Sequence, residues 1–139
     1  SLQVCVSITH LDGLVLARSA FNHSMNYRSA VIYGCFERVT NDADKHRAMD
    51  AFMDKIAPGR NSEIRRGSKK EMASTTVLRM SLAEAAAKIR SGGPVDDAED
   101  MAIPVWAGVL PLALTGLAPV ADAGVEIDAP DYVKAWQSS

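Results

Sequence analysis

The stretch that most constrains this chain is Asn22–Arg38, N-H-S-M-N-Y-R-S-A-V-I-Y-G-C-F-E-R. Its second half, from Ala30, is a β-branched and aromatic run suited to a pleated, half-buried surface. Over Tyr27–Thr40 the pattern sets Tyr27, Ser29, Val31, Tyr33 and Cys35 against Arg28, Ala30, Ile32, Gly34 and Phe36. Apolar residues on both sides predict a central strand covered on both faces. The first half, Asn22–Ser29, is dense in amides, hydroxyls, an imidazole, a phenol and a guanidinium. Such groups leading into a buried strand are costly unless protein or ligand pairs with them.

The rest of the chain supplies the neighbours of that strand. Val4–Thr9 alternates and reads as a strand, His10-Leu11-Asp12-Gly13 as a hairpin turn, and Leu14–Arg18 as the return strand. Ser19–Met25 reads as irregular. Asn41–Ala57 is the clearest helix: Asn41 or Asp42 caps it, Ala48, Met49, Phe52, Met53 and Ile56 recur at helical spacing, and Pro58-Gly59 ends it. Lys45 and His46 fall off that apolar stripe and are expected in solvent. Asn61–Lys70 is a basic loop, with a helical turn expected at Lys69–Ala73 and a strand at Ser74–Met80. Leu82–Ile89 reads as a short helix or turn, with Ser81 and Glu84 in a capping-box pattern, before an extended Lys88-Ile89-Arg90. Ser91-Gly92-Gly93-Pro94 breaks the chain, and Asp96–Asp100 is an acidic loop or helix start. Ile103–Leu114 reads as a last strand whose prolines demand an edge or a bulge. Tyr132–Trp136 is a final helical turn or a loose tail.

With 139 residues, 47% hydrophobic and 23% charged, the chain has the composition of a globular domain. A net charge of −2 gives no global attraction to nucleic acid, and no aromatic residues interleave the basic loop, so neither nucleic acid nor membrane is an expected partner. The apolar stretch Ala102–Val120 is broken by Pro104, Gly108, Pro111, Gly116 and Pro119, which argues against a transmembrane helix. Cys5 and Cys35 sit in apolar β-type runs as buried small hydrophobes, which fits a reducing cytoplasm. The three histidines lack metal-ligand spacing, no metal site is expected, and no glycine-rich phosphate loop or nucleophile elbow is present. No catalytic residue is identified.

Three polar clusters remain: Met25-Asn26-Tyr27-Arg28-Ser29, Lys88-Ile89-Arg90-Ser91-Gly92 and Pro104-Val105-Trp106-Ala107-Gly108. Arginine pairs with phosphate through two donors and lysine as a point charge. Ser29 and Ser91 add hydroxyls, Gly92 permits close backbone approach, and Trp106 offers a surface to a flat ring. These groups suit a phosphorylated aromatic cofactor, and equally suit surface salt bridges with a core tryptophan.

The run D-G-L-V-L-A-R-S-A-F-N-H-S-M-N-Y-R-S-A-V-I-Y-G, followed by A-A-A-K-I-R-S-G-G-P-V-D-D and I-P-V-W-A-G-V-L-P-L, resembles the pyridoxamine 5'-phosphate oxidase-related flavin-binding family, in its flavin-nucleotide-binding branch. The resemblance spans about Val4 to Leu114. It implies a β-rich α+β fold, an antiparallel, Greek-key-like FMN-binding split β-barrel over residues 1–120, with residues 121–139 as a C-terminal tail. It implies a homodimer with FMN at the subunit interface. By match to the motifs, Asn26, Tyr27, Arg28, Ser29, Lys88, Arg90, Ser91 and Trp106 are the residues expected at the cofactor. The family places about half a barrel before this point, whereas this chain opens at Ser1 inside a strand, so the expected fold is the C-terminal portion of the barrel without its N-terminal part. Open strand edges of that kind recruit partners.

Two functions stay open on this reading. One is an FMN-binding flavoprotein acting as an oxidoreductase on a small molecule. The other is a non-enzymatic split-barrel binding and dimerisation module with weak or no flavin affinity.

Overall fold

Strand β1, Gln3–Leu16, pairs antiparallel along its whole length with β2, Ser24–Cys35. The computed structural model describes residues 2–138; Ser1 and Ser139, the ends of the expected opening strand and tail, lie outside the described residues. The remaining elements are β3 (Glu37–Arg38), α1 (Asp42–Ile56), α2 (Lys69–Ser74), β4 (Leu78–Arg79), β5 (Ala85–Arg90), β6 (Gly108–Pro111) and α3 (Asp131–Lys134). The chain is therefore β-rich, with antiparallel sheets and few helices. None of the described helices is long and apolar enough to cross a membrane.

The chain divides into two compact units, residues 1–35 with 80–114, and residues 36–79 with 115–139. The first unit is a four-stranded sheet in the order β5-β2-β1-β6. Its register differs from the expected hairpin. Asp12-Gly13 does not reverse the chain: the tight hairpin turns need positive φ at one or both central residues, and neither has it. Instead Asp12 is the extra residue of a β-bulge: Leu11 faces Tyr27 and Gly13 faces Asn26. The bulge switches the alternation of β1. Before it, Thr9 and Leu11 share a face with Ser29 and Tyr27; after it, Leu14 joins that face through Met25, while Gly13 and Val15 fall on the other. Val15 is fully buried there and Ala17 nearly so.

β5 also departs from expectation. Ala85–Ala87 are extended, not helical, because they form a ladder with β2 from Ile32 to Tyr27. The alanines' helix propensity, a few tenths of a kcal/mol per residue, is weaker than that pairing. Ser81 accepts a hydrogen bond from the Ala83 N–H (3.2 Å) and not from the expected Glu84 box. The last strand shrinks to Gly108–Pro111 and lies at the sheet edge beside β1, where prolines are tolerated. β2 is central as expected but is not covered on both faces: Tyr33 is 52% and Met25 50% exposed. For the same reason Cys5 is exposed and Cys35 half-buried, a correction to their expected burial.

In the second unit, the Asn41 side chain caps α1 by accepting from the Asp44 N–H (3.2 Å), with Asp42 and Asp44 in the first turn and Lys55 in the last, as the helix dipole favours. α2 closes a reciprocal capping box between Ser68 and Glu71. The apolar stripe of α1 is not its buried face throughout: Phe52 and Ile56 remain about half exposed, whereas Lys45 is buried and donates its ammonium to the Met72 carbonyl. A buried ammonium needs such an acceptor. His46 is half-buried and lines a cavity of about 210 Å³ with Met49, Met53 and Met72. The expected strand at Ser74–Met80 contracts to the two residues of β4, paired with β3, since α2 extends through Ser74. Tyr132–Trp136 forms the expected helical turn, in α3 and the 3-10 turn after it.

A Cβ at Gly13 would lie 3.0 Å from the Leu110 carbonyl oxygen and 3.1 Å from Val109 Cγ1. Gly13→Val is expected to push β6 off β1 and destabilise the protein by about 1–3 kcal/mol in urea unfolding. An unchanged midpoint would contradict the close β1–β6 pairing.

Candidate functional site

The first unit presents two different surfaces around β2. On one face, Thr9, Leu11, Met25, Tyr27 and Ser29 line a groove of about 260 Å³. Thr9 Oγ1 and Ser29 Oγ share a hydrogen bond of 3.0 Å. β5 sets Lys88 opposite Ser29. Lys88 is exposed and makes no ion pair or hydrogen bond among the described residues. The groove thus combines a phenol and two hydroxyls with an apolar floor, and Lys88 stands on the same face of the sheet in the neighbouring strand.

Arg28 does not join them. Its register partners are His10 and Ile89, on the opposite face. There it forks onto Asp12, with Nε 3.0 Å from Oδ2 and Nη2 3.0 Å from Oδ1. That hydrogen bonding holds the Asp12 carboxyl below the usual carboxylate range and raises Arg28 in return. The bulge that breaks the ladder at Asp12 also delivers the carboxylate to Arg28. Both side chains are solvent-accessible, so the pair orients Arg28 more than it stabilises the fold.

A third group forms where β5 ends. Asn26 is only 8% exposed, and both ends of its amide are used. Oδ1 accepts from Arg90 Nη1 at 2.7 Å, and Nδ2 donates to the Gly92 carbonyl at 3.0 Å. The strand register opposes Arg90 to Tyr27, yet its guanidinium reaches Asn26. Ser91 lies exposed between these anchor points. Trp106 is 64% exposed, and its ring rests on Gly108, where a Cβ would come within 2.9 Å of Cζ2. Of the eight residues expected at a cofactor, Tyr27, Ser29 and Lys88 share one face, Asn26, Arg90 and Ser91 lie together at the end of β5, Arg28 stands apart with Asp12, and Trp106 rests on Gly108.

Sequence reasoning missed two features. Asp96, read as a hydrated loop acid or helix start, has a side chain only 1% exposed. It accepts from the Arg18 N–H and from Arg18 Nη1, each at 2.8 Å. Burial alone would raise its carboxyl, but the Arg18 N–H and guanidinium, with the Ser19 N–H, outweigh burial and hold it low. Arg18 Nε is buried without a partner. No local signal links residues 78 apart in the chain. The other feature is His23: its Nδ1 lies 2.9 Å from the Ser19 carbonyl, which accepts from it, and its ring is exposed. In the second unit, the basic loop is tied to the two helices, Arg65 to Glu71 of α2 and Arg66 to Asp50 of α1. Among the described residues no group of three or more His, Cys, Asp or Glu is arranged to hold a metal ion.

A family profile described as pyridoxamine 5'-phosphate oxidase matches residues 1–89. Two solved structures are similar over nearly the whole chain. The flavocytochrome from Azotobacter vinelandii is 36% identical with a TM-score of 0.91, covering 97% of this chain and 64% of its own. The FAD and heme binding protein from Mycobacterium smegmatis is 37% identical with a TM-score of 0.88, covering 97% of this chain and 67% of its own. This chain thus spans about two thirds of the length of each neighbour. No curated protein sequence matches it.

Because the Asp96 carboxyl is held below its unfolded value, its contribution to stability is complete above about pH 4 and is lost as pH falls through the folded value. Asp96→Asn is expected to lower the urea midpoint at pH 7 and to flatten its decline on acidification. Parallel pH profiles for the variant and the parent would show that Asp96 is not the group responsible.

Proposed function

The chain belongs to the pyridoxamine 5'-phosphate oxidase family, and from that premise we propose that it binds a flavin nucleotide, FMN or its adenylated form FAD, on the groove face of the β5-β2-β1-β6 sheet. The observation that carries this reading is the uncommitted Lys88 beside Ser29 and Tyr27, above an apolar groove floor. Hydroxyl and ammonium donors over an apolar floor match a ring system that is flat, apolar in its body and rich in acceptors at one edge. The similarity to a flavocytochrome and to an FAD and heme binding protein supports it.

Bound flavin would supply the redox chemistry, and the protein the binding and orientation. In this reading Leu11 and Met25 exclude water from one side of the ring, and Tyr27, Ser29 and Lys88 donate to its polar edge. Arg28 joins only by releasing Asp12, and Trp106 offers a second ring surface. The four strands are a portion of a split β-barrel, and the site is completed at a homodimer interface. On the groove face, the exposed Met25 (50%) and Tyr33 (52%) support burial against a second copy. The unpaired Cys5 and Cys35 suit a reducing cytoplasm. The function follows as a flavin-dependent oxidoreductase of a small molecule, against which stands a dimerisation module without flavin chemistry.

Heme binding is a second reading, favoured by His23. An imidazole whose Nδ1–H is held by a carbonyl and whose ring is exposed would be oriented to hold a heme iron through its other nitrogen. A heme would add one-electron transfer. Hemin titration is expected to give a shifted Soret band that His23→Ala abolishes; a band retained in the variant would dismiss this role for His23.

Titration with FMN and with FAD, followed by flavin fluorescence, is expected to show saturable binding that Lys88→Ala weakens about fivefold, the loss of one exposed charge contact. A stable dimer with no affinity for either flavin would favour the non-enzymatic module.

A further inference from the structure

The inward side of α1 is not the side that hydrophobicity alone would select. Phe52 and Ile56 are 57% and 49% exposed, whereas Lys45 is buried and His46, Met49 and Met53 are half-buried. Residues three and four apart stack on one helix face, so these last three form a single stripe. All three line the cavity of about 210 Å³ in the second unit, and Met72 of α2 lines it as well. The Met72 backbone is fixed by the buried Lys45 ammonium, which donates to its carbonyl. Its sulfur lies against Gly67, where a Cβ would come within 3.0 Å of Sδ.

Methionine, unbranched and flexible, ordinarily fills gaps in a packed interior. Here three of the six methionines border open space instead. Long side chains on a helix lean toward its N-terminus, which carries Met53 toward Met49 and Met49 toward the turn of His46. His46 makes no hydrogen bond or ion pair among the described residues. The other polar groups of the cavity are engaged. Arg65 holds Glu71 and Arg66 holds Asp50, so the charges at the rim are matched. Asn61 donates to the Asp50 carbonyl and to Asp54, and Thr75 to the Glu71 carbonyl. Three thioethers and one imidazole are left for a ligand. Thioethers accept hydrogen bonds weakly and bind hard cations poorly, but they select soft metal ions, Cu(I) above all.

We infer that this cavity is a site for a soft monovalent metal ion, Cu(I), with Met49, Met53 and Met72 as thioether ligands and His46 as the nitrogen ligand. The rotatable bonds of methionine let the three sulfurs turn onto one ion while the helices stay in place. All four ligands are neutral, so none has to be brought into the cavity as a buried charge. The site lies wholly within residues 36–79 of the second unit and does not depend on flavin binding.

Ag(I), a redox-inert stand-in for Cu(I), tests it on the full chain carrying Cys5→Ser and Cys35→Ser, which removes the two competing thiols. With methyl-labelled methionine, one equivalent of Ag(I) is expected to shift the NMR signals of Met49, Met53 and Met72 and to leave Met25, Met80 and Met101 unmoved. Zn(II) should shift none of them. Replacing methionine by leucine conserves volume, so Met49→Leu, Met53→Leu and Met72→Leu should stay folded. Each should nonetheless weaken Ag(I) at least about tenfold, the loss that even an outer partner of a metal site brings. His46→Gln should do the same. Unchanged Ag(I) affinity in these variants, shifts spread over all six methionines, or an equal response to Zn(II) would overturn the site. The methyl shifts of the parent carry the test by themselves where a variant does not fold.

Discussion

The pairing of β1 with β2 sets the geometry of the first unit, and its decisive detail is one extra residue. Side chains alternate with a period of two, so a single inserted residue exchanges the faces of everything beyond it. Asp12 is that residue. Without it, Val15 and Leu14 would trade places, and a buried valine would face the groove. With it, one face of the sheet carries Thr9, Leu11, Met25, Tyr27 and Ser29, and the other carries Val15, Gly13 and Asn26. The same residue supplies the carboxylate that holds Arg28 on the far side from the groove.

β5 adds polar groups to this frame at the opposite edge. Its ladder with β2 aligns Lys88 with Ser29 and ends where Asn26 receives Arg90. Two long-range contacts of unit 1 differ in kind. The Arg18–Asp96 pair joins opposite charges in a buried setting, where removal of either partner would strand the other. The Asn26–Arg90 contact is charge to neutral amide and leaves a cation available.

The candidate site was proposed from residue types. Asn26, Tyr27, Arg28, Ser29, Lys88, Arg90 and Ser91 stood out because polar groups beside β-type runs require partners. What those partners are could not be read. Strand alternation separated Arg28 from Ser29 in principle, yet Asp12 as its partner depended on reading Asp-Gly as a bulge, and the dipeptide is equally a hairpin signal. Asp96 looked like a hydrated loop acid because its partner, Arg18, is distant in sequence. Lys45 lay off the apolar stripe of its helix, and only the position of the Met72 carbonyl explains why it is buried.

The sequence by itself determined the long central strand, the capped helix from Asp42, the break at Ser91–Pro94 and the family to which the chain belongs. These follow from local pattern: β-branched alternation, an Asn cap before a helical stripe, and glycines where the backbone must turn. Tertiary structure alone decided that Ala85–Ala87 are strand, that Asp12-Gly13 is a bulge, and which arginines are neutralised. Each of these turns on a hydrogen bond between residues far apart in the chain, and local propensities of a few tenths of a kcal/mol yield to the pairing of a whole ladder.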